Sequence, residues 1–414
     1  MENKHKVTLG IAGFFIFVLL LIFAVIPFFT RDTYNVAGVA TKIDAKTDEP
    51  IAPKQEAPRV AHVPIPKEVK AIYMSSCVAG TKHFRDDLVA QIERTELNAV
   101  IIDIKDYTGL LSFTPRDPEL ASFLSDRCFA PDMEAFIKTL HEKNIYVIGR
   151  ITAFQDPHYA KLHPEIAVKR ASDGGLWVDR KGINYLDPGA KAAWDHLIKI
   201  GKESYAIGFD ELNYDYIRFP SDGNMKDIYF PYSKDESKQI VIERFFKYLH
   251  DELKPTGVML SADLFGFTTT NPDDLNIGQI LERALPYFDF IAPMIYPSHY
   301  PPGFLGYANP AEHPYEVIKY ALDGAVKRTI ATSSRFDIIG STQIASTSPQ
   351  LYTKPAYDKN KIRPWLQDFN LGATYTPAMV RAQIQATYDS GLNSWMIWAP
   401  SNRYKEAGAL LPAN

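Results

Sequence analysis

Cysteine is scarce in this chain, with two residues (Cys77 and Cys128) among 414. That number excludes a disulfide-rich scaffold and any zinc or iron–sulfur site built from several cysteines. An excess of charge of one sign is also lacking, because 45 basic side chains stand against 49 acidic ones, a formal net charge of −4. Without a basic excess there is no electrostatic reason to expect a nucleic-acid-binding protein.

Several motifs with known chemistry are absent from the sequence. Neither GxGxxG nor GxxxxGK[ST] occurs, which counts against a doubly wound nucleotide-binding sheet, the main structural alternative. Neither HxH nor HExxH occurs, so we expect no metal site and interpret the histidines of the long loops as ordinary loop residues. No sequence pattern indicates a cofactor, and none indicates an obligate protein partner.

A long uncharged segment lies near the N-terminus, at residues 7–30. A helix of this length spans roughly 36 Å, enough to cross a bilayer. Because Lys4 and Lys6 precede it, the N-terminus is expected in the cytoplasm and the rest of the chain outside. A cleaved signal peptide is the alternative, but its apolar core is shorter, about 7–15 residues. We therefore predict that residues 1–30 are a cytoplasmic stub and a single-pass transmembrane anchor in the cell membrane.

The composition changes after this segment. Residues 31–66 interleave proline with Lys, Glu and Ala and keep no hydrophobic period, which predicts a semi-extended tether. The chain as a whole is 46% hydrophobic and 23% charged, a globular composition. Residues 67–414 are therefore predicted to be the folded, extracytoplasmic domain.

Short β-rich apolar runs alternate with amphipathic helical stretches in this domain. Eight candidate strands, each followed by a helix or a long loop, predict a (β/α)8 TIM barrel, for which roughly 250 residues is typical, with the excess in long loops. Asp187-Pro188 and Thr376-Pro377 each have the pattern of a helix N-cap followed by proline. The strands are predicted at 69–74, 99–104, 146–151, 212–217, 258–264, 288–294, 362–369 and 394–398. Helices are predicted at 132–143, 190–204, 237–254, 277–285, 314–327 and 377–390.

Polar side chains recur at the C-terminal ends of these strands, where barrel enzymes carry their chemistry. A single one has an ordinary explanation, since Asp103 could pair with Lys105 or Arg150 as a structural ion pair. Aromatic residues beside carboxylates favour a sugar substrate, because flat rings stack on sugars while carboxylates act as acid and base. The candidate substrate-binding residues are Asp103, Lys105, Arg150, Asn213, Arg218, Tyr296, Gln367 and Trp398.

The fourth strand has the most informative pattern. Side chains alternate across a strand, so Glu211, Asn213 and Asp215 share one face. If that face is the barrel lumen, Asp215 is its uppermost member. Arg218 lies beyond the strand end, where it could bind a carboxylate or a substrate oxygen. The alternative is a structural ion pair between Asp215 and Arg218.

Five motifs carry a resemblance to a known family. They are GFDELNYDYIRFP (208–220), LDP (186–188), MIYP (294–297), IRPWLQDF (362–369) and SWMIWAPSNRY (394–404). As a set they resemble a bacterial family of glycoside-hydrolase barrels, and the resemblance covers nearly all of residues 67–414. It implies hydrolysis of O-glycosyl bonds and says little about the substrate.

A more distant resemblance is to the family-18 chitinase barrels, which carry DxxDxDxE on strand four, M-x-Y-D on strand six and a Trp on strand eight. It implies that Asp215 takes the place of the proton-donating Glu. Asn213 replaces an Asp that assists the substrate's N-acetyl group, and Pro297 replaces the Asp of strand six, which weakens the case for substrate-assisted cleavage. The other residues that align with positions of this pattern are Glu211, Met294, Tyr296 and Trp398.

Glycosidases normally use two carboxyl groups, roughly 5 Å apart for retention and 6.5–9.5 Å apart for inversion. We predict Asp215 as the main catalytic carboxylate, most simply the acid/base. Its partner is Asp263, on the neighbouring strand, or Asp368, on the strand across the barrel, with Asp103 as a third possibility. The sequence does not provide their separations, so the stereochemical outcome stays open.

The leading functional hypothesis is a membrane-anchored, outward-facing hydrolase of a polysaccharide or cell-envelope glycan. The rival is a non-catalytic barrel that binds glycan in the cell envelope, and a metal-dependent amidohydrolase is a distant third. Only the hydrolase requires two carboxylates at working separation. Cys77 and Cys128 could form a disulfide in an outer compartment, or they could be two buried thiols.

Overall fold

The computed structural model describes residues 61–413. By their internal contacts, these residues belong to one compact unit. The predicted anchor at residues 1–30 and most of the predicted tether lie outside the described residues. Within residues 61–413, no helix is both long enough and apolar enough to cross a membrane.

Eight parallel strands close into a barrel, each pairing with the next along the chain and the last pairing with the first. The predicted (β/α)8 barrel is confirmed, and the predicted strand bounds differ from the observed ones by at most three residues. The barrel strands are β1 (Lys70–Met74), β2 (Ala99–Lys105), β3 (Tyr146–Thr152), β4 (Glu211–Asp215), β5 (Met259–Phe265), β6 (Phe290–Met294), β7 (Trp365–Gln367) and β8 (Trp395–Trp398).

At least one helix follows each of the first seven strands, and seven of these helices are numbered here. These helices are α1 (Lys82–Arg94), α2 (Met133–Glu142), α3 (Lys191–Ala206), α4 (Lys238–Leu253), α5 (Leu281–Ala284), α6 (Pro314–Ile330) and α7 (Pro377–Asp389). Helix α5 is much shorter than the predicted 277–285. The reason is local, because Leu275, Asn276 and Gly278 adopt positive φ angles of 54°, 55° and 86°, which a right-handed helix does not accommodate.

The loops contain the remaining short elements. Short helices occur at Ser76–Ala79 and Pro157–Leu162, and 3-10 turns at Pro118–Phe123, Pro164–Ile166, Lys254–Thr256, Gly266–Thr269, Pro297–His299, Phe304–Gly306, Pro310–Glu312 and Lys359–Lys361. Small antiparallel sheets pair Lys169–Arg170 with Ile228–Tyr229, and join Ser333–Ser334, Leu351–Thr353 and Gln343–Ile344. The predicted long loops therefore carry some local structure of their own.

The two predicted helix starts have different outcomes. The hydroxyl of Thr376 accepts a hydrogen bond from the backbone N–H of Met379, and Pro377 is the first residue of α7, as predicted. The prediction at Asp187 is wrong, because α3 begins at Lys191. The Asp187 carboxylate instead crosslinks two loops by accepting hydrogen bonds from Gly189, Tyr232 and Ser233.

Strand alternation divides the apolar side chains into two sets. One set fills the lumen, with Ala71, Ile101, Ile148 and Met396 among its members. The larger set lies between the strands and the surrounding helices. The filled lumen leaves space only at the C-terminal ends of the strands, where the polar residues collect.

Cys77 follows β1, and Cys128 lies in the loop after β2. The two residues are joined by a disulfide. Of the two alternatives for these cysteines, the structure therefore has the disulfide, which ties the loops that follow neighbouring strands.

Candidate active site

A cavity of about 390 Å³ opens at the C-terminal ends of the barrel strands. This is the end of the barrel at which TIM-barrel enzymes carry their active sites. Its size suits a small ligand or one or two sugar units of a larger one. The cavity is lined by Tyr73, Arg150, Lys181, Asp215, Tyr216, Arg218, Asp263, Phe265, Gly266, Phe267, Met294, Tyr296, His299, Tyr300, Trp365 and Trp398.

Arg150, on β3, connects three carboxylates from neighbouring strands. Its Nη1 donates to Oδ1 of Asp103 at 2.7 Å, and its Nη2 donates to Oδ2 of Asp215. Its Nε lies 3.7 Å from Oδ2 of Asp263. The sequence-based alternatives for Asp103 are thereby resolved, because its ion pair is with Arg150.

Asp215 is the last residue of β4 and faces the lumen, as strand alternation predicted. Its Oδ1 accepts a hydrogen bond of 2.5 Å from the backbone N–H of Tyr216. Tyr216 has a φ of +51°, a left-handed conformation that ends the strand two residues before the predicted bound. Non-glycine residues with such backbone strain are concentrated at functional sites.

The postulated structural ion pair between Asp215 and Arg218 is wrong. Arg150 occupies that role, since it reaches Asp215 from the adjacent strand. The Arg218 guanidinium instead donates to the carbonyl of Phe219 at 2.9 Å and to the hydroxyl of Ser221 at 3.2 Å. Arg218 nonetheless lines the cavity, as expected of a substrate-binding residue.

Asp263, on β5, is the second carboxylate in the cavity wall, and it is 1% exposed. Its Oδ1 accepts hydrogen bonds from Nδ2 of Asn213 at 2.9 Å and from Nε1 of Trp365 at 2.7 Å. Burial and the neighbouring negative charge of Asp215 raise the pKa of Asp263 to about 8, although Arg150 and the two hydrogen bonds oppose the shift. The raised pKa favours the protonated form of Asp263, the form that a general acid needs.

Asp215 and Asp263 both contact the guanidinium group of Arg150. Two carboxylates on one guanidinium lie less than about 10 Å apart, within the limit for a pair of glycosidase carboxyl groups. A separation of more than about 10 Å between these two carboxylates would have favoured a barrel that only binds glycan. The structure does not have that separation.

Asp103 lies behind Arg150 rather than in the cavity wall. Its Oδ2 accepts a hydrogen bond of 2.5 Å from the phenol of Tyr73. Burial raises the pKa of Asp103, and Arg150 opposes that rise. Asp103 therefore acts on the two cavity residues that it contacts, Arg150 and Tyr73, and orients both.

Lys105 is not part of the cavity wall, contrary to its prediction as a substrate-binding residue. A register shift between Asp103 and Lys105 interrupts the pairing of β2 with β3, and such a bulge re-aims the side chains that follow it. The Lys105 ammonium is fully buried, 2.9 Å from Asp156, and donates to the carbonyl of Thr152. Its contacts are those of a structural ion pair.

Asp368 and Gln367 also lie outside the cavity wall. Asp368 accepts hydrogen bonds from the backbone N–H of Lys405 at 2.8 Å and from its ammonium at 2.5 Å. Gln367 contacts Ser298 through its side chain. Because Asp368 alternates with Trp365 and Gln367 along the chain, it does not share their face. The geometry therefore favours Asp263 over Asp368 as the partner of Asp215.

Aromatic rings form one side of the cavity. The ring centroids of Tyr296 and Trp398 are 5.3 Å apart, and Phe369 lies 5.2 Å from Trp398. The structure brings Tyr296 and Trp398 together, as a sugar-stacking surface requires. By contrast, Trp177 is 1% exposed, and its Nε1 donates a hydrogen bond to the carbonyl of Asn224 in the loop after β4.

Several residues that line the cavity were not among the sequence-based candidates, and three of them are described here. Tyr73 is the penultimate residue of β1, Trp365 lies on β7 inside the IRPWLQDF motif, and Lys181 comes from the loop after β3. Trp365 could have been found, because it shares strand parity with Gln367. Lys181 has no such signal, since loop geometry alone carries it to the cavity. In the described part of the chain, no group of three His, Cys, Asp or Glu residues could hold a metal ion.

Comparison with known proteins gives a family. A family model described as "Putative glycosyl hydrolase domain" matches residues 71–404. A search of curated proteins gave no match.

Three solved structures are among those similar to this chain. The PgaB (BpsB) glycoside hydrolase domain from Bordetella bronchiseptica is 11% identical, with a TM-score of 0.50, and the match covers 81% of this chain and 95% of that one. Alpha-L-fucosidase isoenzyme 2 from Paenibacillus thiaminolyticus is 10% identical, with a TM-score of 0.51 over 83% of this chain and 48% of its own. A hypothetical protein from Ruminiclostridium thermocellum ATCC 27405 is 33% identical, with a TM-score of 0.42 over 50% of this chain and 98% of its own.

Proposed function

Because this chain belongs to that family of glycosyl hydrolase domains, we propose that its barrel hydrolyses O-glycosyl bonds of a polysaccharide or cell-envelope glycan, with Asp215 and Asp263 as the catalytic carboxylates. One observation carries the proposal. Two carboxylates meet at one arginine in an aromatic-walled cavity.

The environments of the two carboxylates suggest different roles. Asp263 is dry and its raised pKa favours the protonated form, so it is suited to give its proton to the glycosidic oxygen as the bond to the anomeric carbon breaks. Asp215 accepts hydrogen bonds from Arg150 and from the backbone of Tyr216, which suits an anionic nucleophile or base. This assignment reverses the sequence-based one, in which Asp215 was the acid.

The pH dependence of kcat/KM tests this assignment. We expect activity to fall as the pH rises through about 8, because Asp263 then loses the proton that the leaving group requires. The measurement is a pH profile of glycan hydrolysis, with circular dichroism at each pH to separate titration from unfolding. An alkaline limb near pH 5 with an intact fold would show that Asp263 is not the acid.

We also propose that residues 1–30 anchor the protein in the cell membrane with the barrel outside. The uncharged run behind Lys4 and Lys6 supports this orientation. The Cys77–Cys128 disulfide supports it independently, because disulfides persist in oxidising compartments.

Protease added to intact cells, or to spheroplasts where an outer membrane intervenes, should digest the barrel. A cytoplasmic protein in the same cells serves as the control and should survive. A protected barrel, or a mature protein that starts near Thr41, would refute the anchored, outward-facing arrangement.

A further inference from the structure

Arg218 is a buried cation without a carboxylate partner. It is 7% exposed, and Nη1 makes its two hydrogen bonds to neutral oxygens, those of Phe219 and Ser221. Its guanidinium carbon lies 4.7 Å from the ring centre of Phe265 and 5.2 Å from that of Tyr216. Within residues 61–413 no Asp or Glu oxygen lies within ion-pairing distance of it, and Nε and Nη2 have no protein partner.

The other buried arginines of the described chain are all neutralised. An unpaired buried charge is costly, because the low-dielectric surroundings replace water without compensating it. A protein retains such a charge where a ligand supplies the counter-charge. The neutralised arginines are Arg85 with Asp132, Arg283 with Glu243 and Asp337, and Arg363 with Glu211.

A second free cation reaches the same cavity. Lys181 lines the cavity from its loop, and its ammonium makes no ion pair or hydrogen bond within the described chain. The carboxylates of the cavity wall, Asp215 and Asp263, already contact Arg150. Arg218 and Lys181 are therefore two cations at the cavity that neither carboxylate of its wall pairs with.

We propose that the ligand of this cavity is an acidic glycan, and that Arg218 binds the anionic substituent of one of its sugars, with Lys181 assisting at the rim. A planar guanidinium with free N–H groups suits the paired oxygens of a carboxylate, sulfate or phosphate. This proposal rests on the proposed function, because it assumes that the ligand is a sugar and that the protein cleaves it. The charge preference is a property of binding and can be measured without turnover.

The test is a comparison of matched sugars on the full protein. D-glucuronate and D-glucose differ by one carboxylate, and their binding can be followed by calorimetry or by the fluorescence of Trp365 and Trp398, which line the cavity. We expect glucuronate to bind at least about tenfold more tightly, the effect of one charge-assisted hydrogen-bonded pair. Inorganic sulfate should compete with it.

Variants of Arg218 test whether this residue is responsible for the preference for glucuronate. Arg218→Gln should abolish the preference for glucuronate, and Arg218→Lys should retain part of it. Arg244→Gln is the matched control, because Arg244 is an exposed arginine of α4 that pairs with Glu236, and it should leave the preference unchanged. Equal binding of glucuronate and glucose by the unaltered protein overturns the proposal without reference to any variant, as does a preference that survives Arg218→Gln.

Hydrolysis assays then identify the anion and separate the two proposals. Carboxyl-reduced and desulfated forms of acidic polysaccharides show which group Arg218 requires. Preferential glucuronate binding without release of reducing ends from any polysaccharide would leave the acidic-ligand proposal standing and refute hydrolysis. Efficient cleavage of a neutral glycan that is unaffected by Arg218→Gln would do the reverse.

Discussion

Asp263→Asn and Asp215→Asn are each expected to lower the turnover of a glycan substrate by about 10²–10⁴-fold, the usual contribution of a positioned acid or base. Each substitution keeps the shape of the side chain and removes its titrating group. Loss of Asp263 removes the proton for the leaving oxygen, and loss of Asp215 removes the anion beside Arg150. Glycan binding should survive both changes.

Two further variants make this result specific. Asp368→Asn should leave turnover nearly normal, because its carboxylate contacts Lys405 and does not line the cavity. Asp251→Asn, in an exposed ion pair with Lys247 on α4, controls for the substitution itself. Near-normal turnover in Asp215→Asn together with its loss in Asp368→Asn would refute the assignment. A protein that binds glycans but cleaves none would be the non-catalytic barrel.

Arg363→Met is expected to destabilise the fold by about 3–5 kcal/mol, the usual cost of leaving one member of a buried ion pair without its partner. Arg363 and Glu211 are both fully buried and contact each other directly. Tyr146 adds only a hydrogen bond of 3.3 Å to the Glu211 carboxylate. Removing Arg363 therefore leaves a carboxylate in the lumen without a counter-charge.

The double variant Glu211→Leu/Arg363→Met provides the control. Replacing both members of a buried pair by apolar residues is often neutral or even stabilising, so most of the lost stability should return. Thermal and urea unfolding monitored by circular dichroism would measure both variants. A single variant within about 1 kcal/mol of the parent would show that water or another group solvates Glu211.

The local sequence pattern was sufficient to predict the strands, their order in the barrel and the face of β4 that points into the lumen. Alternation alone put Glu211, Asn213 and Asp215 on one face, and each makes polar contacts in the lumen. Such predictions succeed because the pleat of a strand repeats every two residues whatever the rest of the chain does. The prediction of Lys105 from its place at the end of a strand failed, because a bulge interrupts the pairing of β2 with β3 there.

The composition of the site depended on contacts between residues far apart in the chain. An ion pair between Asp215 and Arg218 was the alternative that their nearness in sequence offered, yet Arg150, 65 residues away from Asp215, makes that pair. Trp365, 102 residues from Asp263 along the chain, donates a hydrogen bond to its carboxylate. Burial and the charge of Asp215 nonetheless raise the pKa of that carboxyl group. Periodicity along the chain was sufficient to predict the barrel and the candidate carboxylate Asp215. Only the closed barrel brings Asp263 to the same arginine as Asp215 and buries it, because burial and charge–charge distances arise from packing between strands and not from their order.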